Sequence, residues 1–183
     1  MKQPARLHFL SAATIVVALF LGLTPGFTTT ATAGDSLGDV VREKGLEPFI
    51  ATWGDKATNG DSVKVSYEWK LDHQAISVKL EMNDRRSEGM IFLDPKTHGI
   101  THIAMDTNGG LTSGTWTIEE DRVVLKFTYT DRNGETRKGA IAHEKVDADT
   151  IRVKMHKVSD AGEIEPNNQD GFELVRLKPE PKK

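Results

Sequence analysis

The chain has 183 residues, contains no cysteine, and is 37% apolar and 28% charged. This composition excludes a disordered tail, a collagen-like chain and a disulfide-stabilised scaffold, and the length suits one domain. The sequence contains no recognisable catalytic motif, so it is more informative about fold and destination than about activity.

The first 33 residues have the features of a signal peptide. Lys2 and Arg6 form a short basic region, and a mostly apolar stretch over 7–23 follows it. The segment Ala31-Thr32-Ala33 places small residues at positions −3 and −1 of a cleavage point before Gly34. The apolar stretch is at or below the roughly 18 residues that a membrane-spanning helix needs, which favours cleavage over an uncleaved anchor. The sequence therefore predicts an exported protein, periplasmic or extracellular, with no integral membrane span after cleavage.

The predicted mature chain, residues 34–183, is acidic. Residues 1–33 hold two basic and no acidic residues, so the mature chain has 22 basic against 27 acidic residues and a net charge of −5. Nucleic acid and anionic lipid attract basic surfaces, so we expect neither as a partner. A chain of this size buries enough core to fold without disulfides.

Apolar and polar residues alternate in four segments of the mature chain. In the first segment, Val63, Val65, Tyr67 and Trp69 share one face, and the residues between them are charged or carry hydroxyl groups. The same pattern recurs over 76–82, 123–130 and 151–156. A period of two is typical of half-buried strands, and four such segments predict an antiparallel sheet with one face in solvent.

Short turn-forming segments separate the strands. Asn59-Gly60, His98-Gly99, Asn108-Gly109-Gly110 and Asn133-Gly134 tolerate the positive φ angles of tight turns. Strands joined in series by hairpins form a meander. The predicted strands lie near 48–54, 62–71, 75–82, 88–93, 99–107, 111–119, 122–131, 135–146, 150–158 and 171–178.

One short helix is predicted before the strands. Ser36 can cap it, Leu37, Val40 and Val41 form an apolar stripe, and Gly45 can end it. A helix with one apolar stripe suits the closure of one end of a barrel.

About ten strands in series have exposed edges unless the sheet closes, and closure into a barrel removes them. We therefore predict an all-β fold, an antiparallel up-and-down barrel of about eight to ten strands, in one domain over 34–178. A two-sheet sandwich is the alternative. Residues 179–183 are predicted to form a disordered C-terminal tail, and we expect a monomer.

Two segments resemble a known superfamily. Residues 46–53 (Leu-Glu-Pro-Phe-Ile-Ala-Thr-Trp) and 67–72 (Tyr-Glu-Trp-Lys-Leu-Asp) are similar to the G-T-W opening and W-x-L-D turn of calycin, or lipocalin-like, barrels of the poorly characterised exported bacterial type. Ala51 stands where those proteins have glycine. The resemblance implies that Trp53 packs at the closed end of the barrel and that Arg176, from the last strand, lies across it. A guanidinium stacked on an indole is physically favourable.

A barrel of eight to ten strands with apolar residues inside has room for a small apolar ligand. The candidate ligand-binding residues are aromatic or imidazole side chains: Tyr67, Trp69, His102, Trp116 and Tyr129. The alternative for each aromatic residue is plain core packing. The predicted function is that of a non-catalytic carrier or sensor of a small apolar molecule.

The histidines do not predict a metal site or a cofactor. His73 and His98 fall in turns, His156 shares a face with Arg152 and Lys154 and is expected to be solvated, and His102 and His143 have no assigned direction. No pair shows the H-x-H or H-E-x-x-H spacing that brings two ligands onto one metal. The oxygen-rich segment 163–170 lacks the glycine and terminal Glu of an EF-hand, so it is interpreted as a loop, and the charged residues 84–88 as a solvated turn.

Two alternative functions remain open. One is a barrel enzyme, either a haem-dependent isomerase or a cyclase-like barrel that uses an inward His or Tyr. One family of similar barrels holds haem through a single His of a late strand, which implies His143 or His156 here. Nucleophilic catalysis has no support, since cysteine and the G-x-S-x-G motif are absent. The other alternative is a structural or interaction module of the cell envelope with a filled barrel.

Overall fold

Ten antiparallel strands, joined in chain order, close into one barrel. The computed structural model describes residues 36–119, 122–166 and 171–178. Its strands are β1 (Thr52–Asp55), β2 (Val63–Lys70), β3 (Ala75–Met82), β4 (Arg85–Leu93), β5 (Ile100–Asp106), β6 (Leu111–Ile118), β7 (Arg122–Thr130), β8 (Thr136–Lys145), β9 (Thr150–Lys157) and β10 (Phe172–Arg176). β1 pairs with both β2 and β10, which closes the sheet. The up-and-down barrel is therefore confirmed, and the two-sheet sandwich is wrong.

Two strand boundaries differ from the prediction. Residues Glu47–Phe49 form a 3₁₀ helix, and β1 begins only at Thr52. Pro48 lies in this helix and has no N–H to donate to a strand partner. β4 begins at Arg85, because the chain reverses at Asn83, which has a φ of 53°. The charged segment 84–88 does lie at a hairpin and is mostly exposed, but only its first residue belongs to the turn, since the others are in β4.

The predicted alternation places the apolar residues inside the barrel. Val65 pairs with Leu80 and Tyr67 with Val78 across β2 and β3. These residues belong to a single core cluster that also includes Trp53. The core therefore consists of one apolar face of the closed sheet, as the period of two predicts.

The helix α1 (Leu37–Glu43) covers one end of the barrel. Its first turn is held by a capping box, in which Asp39 N donates to Ser36 Oγ at 3.1 Å and Ser36 N donates to Asp39 Oδ2 at 3.1 Å. The buried stripe of Leu37, Val40 and Val41 packs into the core cluster. The predicted helix and its cap are thereby confirmed, and the barrel end beneath α1 is hereafter called the closed end.

Part of the outer face is buried, contrary to the expectation of a fully solvated outside. Val124, Ala140 and Ala142 form a second buried cluster, against which Val158 and Ile164 pack. Val158 and Ile164 also form a β-bridge, so the chain after β9 folds back over the outer face of β7 and β8. Ala140 and Ala142 are small enough to leave room for this layer.

His156 lies under the same layer. It pairs with Ala140, on the opposite face of the sheet from Ile141 and Met155. Its Nδ1 lies 3.3 Å from the carbonyl oxygen of Glu165, and its Nε2 is buried without a hydrogen-bond partner. The expectation that His156 is solvated is therefore wrong, because the segment after β9 covers it.

Some predictions concern residues outside the described part of the chain. These are the signal peptide with its cleavage point before Gly34, the end of the oxygen-rich loop at 167–170, and the tail 179–183. Among the residues that the structure describes, no helix has the length and apolar character needed to cross a bilayer.

Candidate ligand cavity

The barrel interior contains a cavity of about 500 Å³. Residues of nine strands, β2–β10, form its wall. Its apolar wall residues include Val63, Val65, Val78, Leu80, Ala104, Leu125, Phe127, Ile141, Val153 and Leu174. The wall is apolar over most of its extent because the alternation directs these side chains inward.

A smaller pocket of about 80 Å³ lies beneath the helix, at the closed end. Leu37 and Val41 of α1 form part of its wall together with Phe49. Tyr67, Trp116 and His143 belong to the walls of both cavities. These three side chains therefore mark the boundary between the two spaces.

Trp53 and Arg176 pack together at the closed end. The two residues are paired across β1 and β10, and the guanidinium carbon of Arg176 lies 4.6 Å from the centroid of the Trp53 ring. The Trp53 indole N–H donates to the carbonyl of Phe49 at 3.0 Å, and Arg176 Nη2 donates to the carbonyl of Pro48 at 2.7 Å. Both side chains thus donate hydrogen bonds to the 3₁₀ helix that precedes β1, and their stacking connects this helix to the last strand.

Polar side chains surround the opposite end of the large cavity, hereafter the mouth. Arg85, Asp106, Tyr129 and Arg137 belong to its wall there. Tyr129 Oη donates to Asp106 Oδ2 at 3.0 Å, and this raises the pKa of Tyr129. Met82 and Phe172 are wall residues at this end, and each is close to 39% exposed, so solvent reaches the mouth.

Asp106 is held ionised at the mouth. Burial alone would raise its pKa, but hydrogen bonds from the backbone N–H groups of Gly110 and Asn108 and from the Tyr129 hydroxyl outweigh it, and the pKa lies below its ordinary value. Arg85 Nε lies 3.9 Å from Asp106 Oδ2. Asp106 therefore holds the Tyr129 side chain and the turn at 108–110 in place by hydrogen bonds and provides a negative charge near Arg85.

Three nitrogen-bearing rings meet deeper in the barrel. They belong to His102 on β5, Trp116 on β6 and His143 on β8. The ring centroid of Trp116 lies 6.1 Å from that of His102 and 5.4 Å from that of His143. We call these three residues the nitrogen cluster.

The nitrogen cluster contains unpaired polar atoms. Nδ1 of each histidine and Nε1 of Trp116 are buried and have no hydrogen-bond partner. His102 and His143 are only 6% and 7% exposed, and desolvation lowers the pKa of each to about 4. Both imidazoles are therefore neutral at pH 7.

Four of the five predicted ligand-binding residues, Tyr67, His102, Trp116 and Tyr129, form part of the large cavity wall. Burial raises the pKa of the Tyr67 hydroxyl, which therefore stays protonated. Trp69 belongs to neither wall; its ring lies 4.9 Å from that of His73 and packs against the core. A ligand-binding role for the four wall residues stays a prediction, and Trp69 is placed outside the cavities.

Sequence reasoning missed the mouth residues Arg85, Asp106 and Arg137. Asp106 is an even number of positions from His102 and Ala104 on one strand, so the alternation contained a signal for it. Arg85 was missed because the sequence assigned it to a turn. Arg137 was missed because it lies opposite Tyr129 only through the register of β7 and β8, which the sequence pattern does not specify.

Of the other histidines, His156 contributes to the wall of the large cavity, whereas His73 and His98 belong to neither wall. His73 and His98 lie in the connections between strands, both with positive φ. Within residues 36–119, 122–166 and 171–178, no group of three or more His, Asp or Glu side chains is placed to hold a metal ion.

The closed ten-stranded meander is consistent with a calycin-like fold. No protein-family model matches the sequence, and no curated protein matches it significantly.

Proposed function

We propose that this protein is an exported, monomeric, lipocalin-like carrier or sensor that binds a small apolar molecule inside the barrel without transforming it. The observation that carries the proposal is the cavity of about 500 Å³ with a predominantly apolar wall. Ligand sites in proteins typically have volumes of about 300–1,000 Å³ and few polar groups. Affinity would come from burial of apolar ligand surface, at roughly 25 cal/mol per Å².

The shape of the interior supports entry from one side. α1 and the Trp53–Arg176 pair occupy the closed end, whereas wall residues at the mouth are partly exposed. A ligand would enter at the mouth with its apolar end first. Tyr67, Tyr129 or His102 would then orient it through hydrogen bonds.

A second candidate function is a barrel enzyme, and the position of His143 favours it. This residue lies in the wall of both cavities, and desolvation keeps it unprotonated, which is the form that accepts a proton or binds haem iron. His156 is the weaker candidate for such a role because its Nδ1 lies 3.3 Å from the Glu165 carbonyl oxygen and it does not border the small pocket.

Native mass spectrometry of the processed protein, purified gently from its source cells, tests these proposals. A discrete mass excess over one polypeptide would establish a bound molecule and identify it as lipid-like or haem. A bare polypeptide mass, repeated after the protein is offered mixed lipids and haem, would refute the carrier and favour a ligand-free interaction module of the envelope. The same spectrum reports whether the protein is monomeric.

A pair of neighbouring substitutions tests whether binding occurs inside the barrel. Thr112 belongs to the cavity wall, and Ser113 is exposed on the other face of β6. Thr112→Phe should weaken binding of the apolar dye N-phenyl-1-naphthylamine at least about tenfold by occupying the cavity, which corresponds to about 1.4 kcal/mol. The matched control Ser113→Phe should bind as the wild type does. Equal affinities in the two variants would refute an interior site.

A further inference from the structure

The nitrogen cluster lies where a bound molecule would contact it. His102, Trp116 and His143 all belong to the wall of the large cavity, and Trp116 and His143 also border the small pocket. Each carries a buried nitrogen without a partner. Buried polar atoms in proteins are almost always hydrogen-bonded, so an unpaired set beside a cavity indicates a missing partner.

The chemistry of the three rings limits what that partner can be. An indole N–H is only a donor, so the partner of Trp116 must be an acceptor. Each neutral imidazole has one N–H donor and one acceptor nitrogen. The N–H of His143 is directed to the backbone of Val123, so the free imidazole donor of the cluster belongs to His102. A single oxygen with two lone pairs can accept from Trp116 and from His102.

The charge state of the cluster favours an uncharged oxygen as that partner. Both imidazoles are neutral at pH 7, so the cluster supplies no positive charge for a carboxylate. The basic wall residues belong to the mouth, at the other end of the large cavity; they are Arg85, Arg137, Lys138 and Lys157. A carboxylate beside the nitrogen cluster would be a buried charge without a counter-ion, which is strongly unfavourable.

The position of the cluster determines what flanks the oxygen. Beyond Trp116 and His143 lies the small pocket, whose other wall residues are apolar apart from Tyr67. On the mouth side of Trp116 and His143 lies the apolar part of the large cavity. A molecule that fills both spaces has apolar groups on each side of its oxygen.

We infer that the ligand is a neutral carbonyl compound, of the ketone, ester or amide class, with apolar groups on both sides of the carbonyl, whose oxygen accepts a hydrogen bond from the Trp116 indole. This inference rests on the proposed function, because it assigns the ligand class of the same cavity.

Two neutral dyes of similar size test the inference. Prodan carries a carbonyl between an ethyl group and a naphthalene ring, and its emission moves to longer wavelength when that carbonyl accepts a hydrogen bond. N-phenyl-1-naphthylamine has no carbonyl. The protein is expressed from the full-length chain, and dye affinity and bound emission are measured for the wild type, Trp116→Phe and the matched control Trp69→Phe.

Trp116→Phe keeps an aromatic ring and removes the N–H. It should weaken Prodan about fivefold to tenfold, move the emission of bound Prodan to shorter wavelength, and leave the affinity for N-phenyl-1-naphthylamine within about twofold. Trp69→Phe should change neither dye, since Trp69 lies outside both cavity walls. His102→Phe, which also keeps a ring, should shift Prodan in the same direction.

The outcomes separate the inference from the proposed function. If Trp116→Phe weakens both dyes equally, or leaves the Prodan emission unchanged, the indole N–H does not bind the carbonyl and the inference is overturned while interior binding stands. If neither dye binds the wild-type protein, both the inference and the proposed function are overturned.

Discussion

Replacing Arg176 by alanine would remove the side chain that connects the last strand to the closed end of the barrel. Its guanidinium lies over the Trp53 ring at 4.6 Å and donates to the Pro48 carbonyl at 2.7 Å. Its Nε also donates to Asp149 Oδ1 at 3.0 Å. Arg176→Ala loses all three interactions at once.

The three interactions of Arg176 contribute different amounts to the free energy of unfolding. A cation–π contact contributes about 0.5–2 kcal/mol depending on its burial, and a hydrogen bond from a charged group about 1.5–3 kcal/mol. The ion pair adds at most about 0.5 kcal/mol, because the Asp149 side chain is 75% exposed. The Arg176 side chain is itself 30% exposed, and the substitution relieves the entropic cost of holding it. We therefore expect a loss of about 2–4 kcal/mol in the free energy of unfolding.

Urea unfolding, followed by tryptophan fluorescence and circular dichroism, measures this loss as a lower midpoint at unchanged m-value. A loss of about 3 kcal/mol corresponds to a fall in Tm of about 6–12 °C for a chain of this size. Arg176→Lys, which keeps the charge but not the planar fork, should lie between alanine and the wild type. Asp149→Ala serves as the control and should cost less than about 1 kcal/mol. If Arg176→Ala lowers the free energy of unfolding no more than Asp149→Ala does, the contacts of Arg176 with Trp53 and Pro48 do not stabilise the closed end.

Two further predictions concern pH and strand packing. Because burial lowers the pKa of His102 and His143 to about 4, the unfolded chain binds more protons than the folded protein between about pH 4 and 6.5. Stability should therefore fall as the pH drops through this window, by up to about 1.4 kcal/mol per pH unit for each histidine. Urea denaturation of His143→Phe at several pH values should show a shallower dependence of unfolding free energy on pH than the wild type. An unchanged dependence would contradict the assignment of His143 as a buried neutral imidazole. A Cβ at Gly114 would collide with the Lys126 carbonyl of the neighbouring strand, so Gly114→Ala should lose at least about 2 kcal/mol of unfolding free energy. Gly99→Ala, whose Cβ would meet nothing nearer than 3.4 Å, should unfold at nearly the wild-type urea concentration, and equal midpoints for the two variants would refute the close approach.

Local pattern was sufficient to predict the strands and the helix. In β2, β3, β7 and β9 the apolar residues recur at every second position, and strand geometry converts that period directly into two faces. The Ser36 cap and Gly45 likewise act within one turn of α1. The errors are also local: Pro48 delays β1, and the turn at Asn83-Asp84 is shorter than the charged segment around it.

The candidate site was only partly predictable. The period of two placed Tyr67 on the inner face, but it could not orient His102 or His143, whose strands have weaker alternation. It also suggested Trp69, which the structure places against His73 instead of a cavity. Alternation determines which face a side chain takes and not how far along the barrel it lies, and the distance along the barrel decides between cavity wall and packed core.

The sequence by itself therefore determined the strand order, the inward faces of β2, β3, β7 and β9, and the helix that covers one end. Only the tertiary structure decided that Trp116 lies between His102 and His143, that Asp106 meets Tyr129, and that the segment after β9 covers the outer face. The physical reason is that strand periodicity is a property of each segment, whereas these contacts depend on the register of successive pairings around a closed sheet. A shift of one residue in any pairing would move these side chains to the other face, so the barrel as a whole specifies the site.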